Sequence, residues 1–165
     1  METHLTRRQF LGTGGLAVAA IATVGCGSQS SAAATGKFAI TKTPAEWKKQ
    51  LGAQRFAILR QEGTERPFSS PLNKEKRRGV YACAGCDLPV YPSTAKFDSG
   101  TGWPSFWRDF PGNVAYKRDT SMFMDRTEEH CVRCGGHLGH VFNDGPKPTG
   151  KRHCINGLSL VFKPA

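Results

Sequence analysis

The residues of this chain best suited to chemistry are thiols. Cys154 stands alone in the run Lys151-Arg152-His153-Cys154-Ile155-Asn156, directly after two basic residues and an imidazole. Positive charge beside a thiol lowers its pKa and raises the fraction present as the nucleophilic thiolate. The competing reading is a buried, inert cysteine, a common fate for a free thiol. Four other cysteines come in pairs. Cys83-Ala84-Gly85-Cys86 and Cys131-Val132-Arg133-Cys134 are two C-x2-C knuckles with 44 residues between them. Two intervening residues let both sulfurs of a knuckle face one ion, and four thiolates close a tetrahedral zinc site with no open position. Iron would accept the same ligands, and two disulfides would suit an exported protein. One structural Zn2+ on Cys83, Cys86, Cys131 and Cys134 is the expected occupant. It would join distant segments of a small domain and contribute to folding rather than to catalysis.

Around these thiols lie groups able to move protons or hold a ligand. His137 and His140 follow the second knuckle closely in Gly135-Gly136-His137-Leu138-Gly139-His140-Val141-Phe142. Small spacers could let both rings face one pocket, and a histidine near a thiolate can donate a proton. A surface histidine is the alternative; a metal role is discounted because four cysteines already fill the zinc shell. Asn143-Asp144-Gly145 reads as a turn whose acid could orient a histidine or an arginine. Asn156, two residues after Cys154, falls on the same side of an extended strand as the thiol. Asp98-Ser99-Gly100-Thr101-Gly102-Trp103-Pro104-Ser105-Phe106-Trp107 is a glycine- and proline-fixed loop carrying three aromatics. Such clusters usually belong to a core, but a tryptophan on a Gly-Trp-Pro turn suits the wall of a pocket for a small apolar group such as a methyl.

The elements that must position these residues are short. Thr43-Pro44-Ala45-Glu46 reads as a helix start, with a capping threonine, proline at the first helical position and an early acid. Gly52 closes this helix, a second covers Ala53 to Gln61, and Gly63 ends it. From Val80 onward, brief runs of Val, Tyr, Phe and Thr are punctuated by Gly, Pro, Asn and Asp, with no long helical period. Residues 79–165 therefore read as a compact, mainly β, antiparallel domain. The two short N-terminal helices clamp onto it, and Leu158-Ser159-Leu160-Val161-Phe162 forms a core strand.

Residues 1–34 read as a twin-arginine export signal and tether, with Thr6-Arg7-Arg8-Gln9-Phe10-Leu11 followed by a short apolar run from Leu16 to Val24. The expected location is exported, in the periplasm or cell envelope. Ala32-Ala33-Ala34 is a candidate cleavage site, and Val24-Gly25-Cys26-Gly27 makes Cys26 a candidate for lipidation. The 165 residues carry a net charge of +10, or +9 once Arg7, Arg8 and Glu2 are removed with the leader. That charge favours acidic surfaces. No basic stripe interleaved with aromatics appears, so no nucleic-acid partner is expected.

The set as a whole resembles the methionine-R-sulfoxide reductase (MsrB) family. The matching pieces, in family order over residues 43–163, are Glu46-Trp47-Lys48-Lys49, Gly63-Thr64-Glu65-Arg66-Pro67-Phe68, Tyr81-Ala82-Cys83-Ala84-Gly85-Cys86, Ser99-Gly100-Thr101-Gly102-Trp103-Pro104-Ser105-Phe106, His130 through Phe142, and Arg152-His153-Cys154-Ile155-Asn156. The resemblance implies a mainly-β fold with a four-cysteine zinc site and the reduction of R-methionine sulfoxide in proteins or peptides, the free amino acid being a further candidate substrate. It implies that Cys154 attacks the sulfoxide sulfur and becomes a sulfenic acid. His137 or His140 would protonate the departing oxygen, Asn156 and Asp144 would orient substrate and water, and Arg152 would support the thiolate. Trp103 would pack on the substrate methyl, with Phe106 and Phe142 completing the substrate site.

One departure bears on the catalytic cycle. Many members of that family carry a resolving cysteine where this chain has Thr101. With the knuckle thiols committed to zinc, no obvious internal partner remains for Cys154 except Cys26, were it kept and left unlipidated, so a thioredoxin-like protein or a small thiol is the expected reductant. Gly157 stands where serine is common in the family. A monomer is expected. Two other classes fit less of the chain. A basic zinc domain for nucleic acid leaves Cys154, the histidines and the leader unexplained, and a rubredoxin-like electron carrier would be coloured.

Overall fold

The computed structural model describes residues 38–165. The twin-arginine segment and Cys26 lie outside the described residues. The first regular element is helix α1, Pro44–Gln61, and its start follows the sequence signals. The Thr43 hydroxyl accepts from the Glu46 N–H (3.3 Å), and the Glu46 carboxylate accepts from the Thr43 N–H (2.8 Å). This reciprocal cap satisfies two amides that the helix cannot. Gly52, at φ 70° and ψ 169°, breaks α1 into the two expected short segments. The C-terminus is closed by Glu62 in the left-handed region, with the Gly63 N–H bonded to the Ala57 carbonyl.

Nine short strands follow: β1 (Gly79–Cys83), β2 (Pro89–Pro92), β3 (Lys96–Phe97), β4 (Ser105–Phe106), β5 (Val114–Asp119), β6 (Arg126–Cys131), β7 (His137–Phe142), β8 (Arg152–Ile155) and β9 (Leu160–Pro164). They form two antiparallel sheets, one ordered β2-β1-β9 and the other β3-β4-β8-β7-β6-β5. The expected core strand near the C-terminus begins at Leu160, after a turn of 3-10 helix over Gly157–Ser159.

An aromatic stack packs between the sheets. Phe106 lies 4.6 Å from Tyr91 in a stacked arrangement and 4.9 Å from Tyr81 edge-on, and all three are fully buried. Burying a ring of this size is worth about 3 kcal/mol relative to leaving it in water. The helix is fastened to both knuckles. Trp47, 2% exposed, packs into the core, Gln50 donates to the Gly85 carbonyl (2.8 Å), and Arg60 donates to the Cys134 carbonyl (2.8 Å).

The segment 64–78, which contains one turn of 3-10 helix at Pro71–Lys74, ties the C-terminal half together through one buried acid. The Glu65 carboxylate accepts from the backbone N–H groups of Gly157 and Leu158. Burial raises the Glu65 pKa, and those two bonds pull it back. A side chain at position 157 would meet the Ser70 hydroxyl at 1.9 Å, so the room a serine would need at Gly157 is already taken. No helix among the described residues is long and apolar enough to cross a membrane.

Candidate active site

The six-stranded sheet places five side chains in one ladder. Ser105 on β4 pairs with Cys154 on β8, Cys154 with His140 on β7, His140 with Glu128 on β6, and Glu128 with Lys117 on β5. Residues directly opposite in antiparallel strands share a face. The strand alternation adds Arg152 and Phe142, themselves a register pair, to the same side.

His137 reaches this face by an irregularity. Residues three apart on a regular strand point to opposite sides. Here Thr127, Glu128 and Glu129 pair with Val141, His140 and Gly139, but His130 pairs with His137, so β7 carries one extra residue. This bulge turns Leu138 into the core and brings the His137 and His140 rings edge to face, 5.5 Å apart.

Each histidine is held by a carboxylate. His140 Nε2 lies 2.7 Å from Asp119 Oδ2, and Arg126 donates to the same oxygen at 2.7 Å. Burial lowers the His140 pKa, and the Asp119 bond opposes it only in part. His137 Nδ1 lies 2.9 Å from Glu128 Oε1, while Lys117 bridges the other Glu128 oxygen (2.9 Å) and Glu62 (2.6 Å). His137 Nε2 is buried without a hydrogen-bond partner.

Arg152 is held from two sides. Its guanidinium donates twice to the Asp144 carboxylate, 2.9 Å each, and lies 4.4 Å over the Phe142 ring. Asp144 thus orients an arginine, and Phe142 supports the same guanidinium. The Cys154 thiol is half-buried, and burial pushes its pKa up. The Thr101 hydroxyl, 3.8 Å from the sulfur, and the Arg152 charge pull it back without cancelling the rise.

Several sequence expectations change in the structure. His153 does not add positive charge beside the thiol. It points through the other face of β8, 4% exposed, with Nδ1 2.6 Å from Glu129 Oε1. The strand alternation that puts Cys154 outward puts His153 inward. Phe106 is not on the Cys154 face. It follows Ser105, so it turns into the core, fully buried. Asn156 is also withdrawn from the thiol. Its Oδ1 accepts from the Glu65 N–H (3.0 Å) and its Nδ2 donates to the Leu138 carbonyl (3.2 Å), which fixes the bulge. Trp103 is half-buried, its Nε1 donating to the Glu65 carbonyl at 3.1 Å.

Sequence reasoning misses Asp119, Glu128, Glu129 and Glu65. Glu128 and Glu129 are neighbours on β6, and on a strand two adjacent acids must face opposite sides. Here each meets a histidine. The cavity of about 720 Å³ between α1, residues 64–77 and β9 is lined by none of the Cys154-face residues.

The knuckle sulfurs form a second constellation. Cys83, Cys86, Cys131 and Cys134 bring their Sγ atoms within 4.8 Å of one another, Cys83–Cys134 at 3.7 Å and Cys86–Cys131 at 3.4 Å. These are free thiols, far beyond the ~2.05 Å of a disulfide. Four sulfurs at ~2.3 Å around one tetrahedral ion would stand about 3.8 Å apart, so the cluster fits a single metal ion.

This combination, a half-buried thiol beside carboxylate-held histidines together with a four-sulfur cluster that could hold a metal, sits on a SelR domain, whose family model matches residues 51–164. The peptide methionine sulfoxide reductase MsrB of Methanosarcina barkeri (strain Fusaro / DSM 804) is 56% identical over 126 residues, covering 76% of this chain and 89% of that protein. MsrB of Agrobacterium fabrum (strain C58 / ATCC 33970) is 52% identical over 126 residues, covering 76% and 93%. The chain belongs to the MsrB family of peptide methionine sulfoxide reductases.

Proposed function

We propose that the protein reduces the R epimer of methionine sulfoxide in oxidised proteins and peptides through a one-cysteine cycle. The observation that carries this reading is the register pairing of Cys154 with His140, with Arg152 on the same face. The Cys154 thiolate attacks the sulfoxide sulfur, and the oxygen takes a proton and ends on Cys154 as a sulfenic acid while methionine departs. Atoms balance: one thiol and one sulfoxide give one sulfenic acid and one thioether. Two equivalents of an external thiol then return Cys154 to the thiol, releasing water and a disulfide.

His140 is the proton donor in this scheme. It is the ring set across from the thiol, whereas His137 is nearly fully buried and held by Glu128. Trp103, held through its Nε1, would pack on the sulfoxide methyl. Asn156 would act at one remove, by fixing the strand ends that carry His137 and Cys154.

A zinc ion held by Cys83, Cys86, Cys131 and Cys134 would be saturated by thiolates and would stabilise the fold. The external reductant follows from Thr101 at the position of the usual resolving cysteine. The twin-arginine segment supports action outside the cytoplasm. The test is turnover of a methionine sulfoxide peptide resolved into its epimers, with dithiothreitol, followed by mass analysis of protein oxidised by one turnover without reductant. Reduction of R alone and a single added oxygen on Cys154 are expected. Reduction of S alone would overturn the reaction assigned, and an intramolecular disulfide to Cys154 would overturn the one-cysteine cycle.

A further inference from the structure

Three hydroxyls lead in a chain to the Cys154 sulfur. Ser105 Oγ is 2.7 Å from Ser99 Oγ, Ser99 Oγ is 2.8 Å from Thr101 Oγ1, and Thr101 Oγ1 is 3.8 Å from Cys154 Sγ. The loop that carries Ser99 and Thr101 is pinned at both ends. The Asp98 carboxylate accepts from the Gly100 N–H (2.9 Å), and the Gly102 carbonyl accepts from the Phe68 N–H (2.7 Å) and the Asn73 side chain (2.9 Å). Ser105 is fully buried.

Each hydroxyl has one proton to donate and lone pairs to accept with. The chain therefore has two self-consistent orientations. In one, Thr101 donates to Ser99, Ser99 to Ser105, and Ser105 to the Trp103 carbonyl at 3.2 Å. Thr101 is then left to accept from the Cys154 S–H. In the other, all three rotors turn, and the chain runs from Ser105 through Ser99 and Thr101 to the sulfur.

We propose that Thr101 is a further catalytic residue of this site, and that the Ser105–Ser99 chain is its positioning device. Turning the three hydroxyls exchanges a donor on the thiol for a donor to the thiolate. Thr101 then remains in place to donate to the oxygen of the sulfenic acid formed there. The threonine that removes an internal resolving thiol thus supplies a neutral hydrogen-bond donor in its stead. This inference rests on the reading of Cys154 as the nucleophile. The charged and titratable groups around the sulfur are Arg152, held by Asp144, on its own strand, His140, held by Asp119, on β7, and Glu129 behind β8. None of them is altered by a change at Thr101 or Ser99.

The experiment is the pH dependence of iodoacetamide alkylation at Cys154, followed on the peptide that contains it, for wild type, Thr101→Val, Thr101→Ser and Ser99→Ala. A hydrogen bond to a charged sulfur is worth enough to change the thiolate fraction about tenfold. Thr101→Val is expected to move the midpoint up by about one pH unit, Ser99→Ala by less in the same direction, and Thr101→Ser hardly at all. Superimposable profiles for wild type and Thr101→Val would overturn the proposal. Should Thr101→Val also lower the unfolding midpoint, the Thr101→Ser and Ser99→Ala profiles decide, and a serine variant as impaired as the valine variant overturns it. Alkylation consumes no sulfoxide, so this result stands apart from whether the protein reduces one.

Discussion

Cys154 and His140 are direct register partners on neighbouring strands, and their closeness depends on a residue with no side chain. A Cβ at Gly139 would stand 2.1 Å from the Cys154 carbonyl oxygen and 3.0 Å from the Ile155 Cα. Both obstacles are backbone, so β7 and β8 would have to part. Gly139→Ala is expected to cost about 1–3 kcal/mol and to lower turnover more than binding, read from urea unfolding and from kcat and KM. An unchanged unfolding midpoint with full turnover would show that the strand contact is looser than described.

The pH profile should carry the signs of two groups shifted apart. Burial lowers His140 and raises Cys154. In the proposed cycle, turnover needs the imidazolium and the thiolate together. The rate should therefore rise with pH up to the His140 value, below that of an ordinary histidine, and stay level between the two. It should fall only above the Cys154 value. His140→Gln should lose at least about 100-fold in rate and retain a single rising limb that follows the thiolate. A level region that survives in His140→Gln would move the acid role to His137.

Asp119 gives a stability prediction of definite sign. The Ser121 side chain and N–H, then His140 and Arg126, hold its carboxyl well below the usual carboxylate range. A carboxyl depressed in the folded state contributes stability above its unfolded pKa of about 3.9 and loses it as pH falls through the folded value. Asp119→Asn should therefore unfold at lower urea than wild type at pH 7, and the gap should narrow below about pH 4. A gap that does not narrow on acidification would contradict the pairing.

Much of this arrangement is legible in the residues themselves. The helix start at Thr43, the break at Gly52, the two knuckles and the isolation of Cys154 all follow from local chemistry that needs no partner. What fails are statements about facing. Phe106 reads as part of the substrate site through the resemblance, and His153 as a neighbour of the thiol, but each follows or precedes an outward-facing strand residue, and on a strand adjacency means opposite faces. His137 does come to face His140 as its small spacers allow, but through a one-residue bulge fixed by Asn156 rather than by regular strand alternation. Glu65, Glu128, Glu129 and Asp119 are invisible for a different reason. An acid looks solvated until tertiary pairing supplies the histidine, arginine or amide that makes its burial tolerable.

The knuckles should hold one zinc per chain. Pyridylazoresorcinol with a thiol-blocking reagent is expected to release a single equivalent. Cys131→Ser should bind less than one equivalent and melt lower by more than about 10 °C, as loss of a structural metal site costs several kcal/mol. A colourless wild type that releases no metal, with Cys131→Ser melting unchanged, would remove the metal from the account.

The most direct measurement is the turnover of Cys154→Ser on the R epimer of a methionine sulfoxide peptide with dithiothreitol, beside wild type and with matched unfolding midpoints. The serine variant should form no methionine above the reagent background, because an alkanol cannot accept the sulfoxide oxygen as a thiol does. Methionine formation by Cys154→Ser at a rate comparable to wild type would contradict the assignment of Cys154 as the nucleophile.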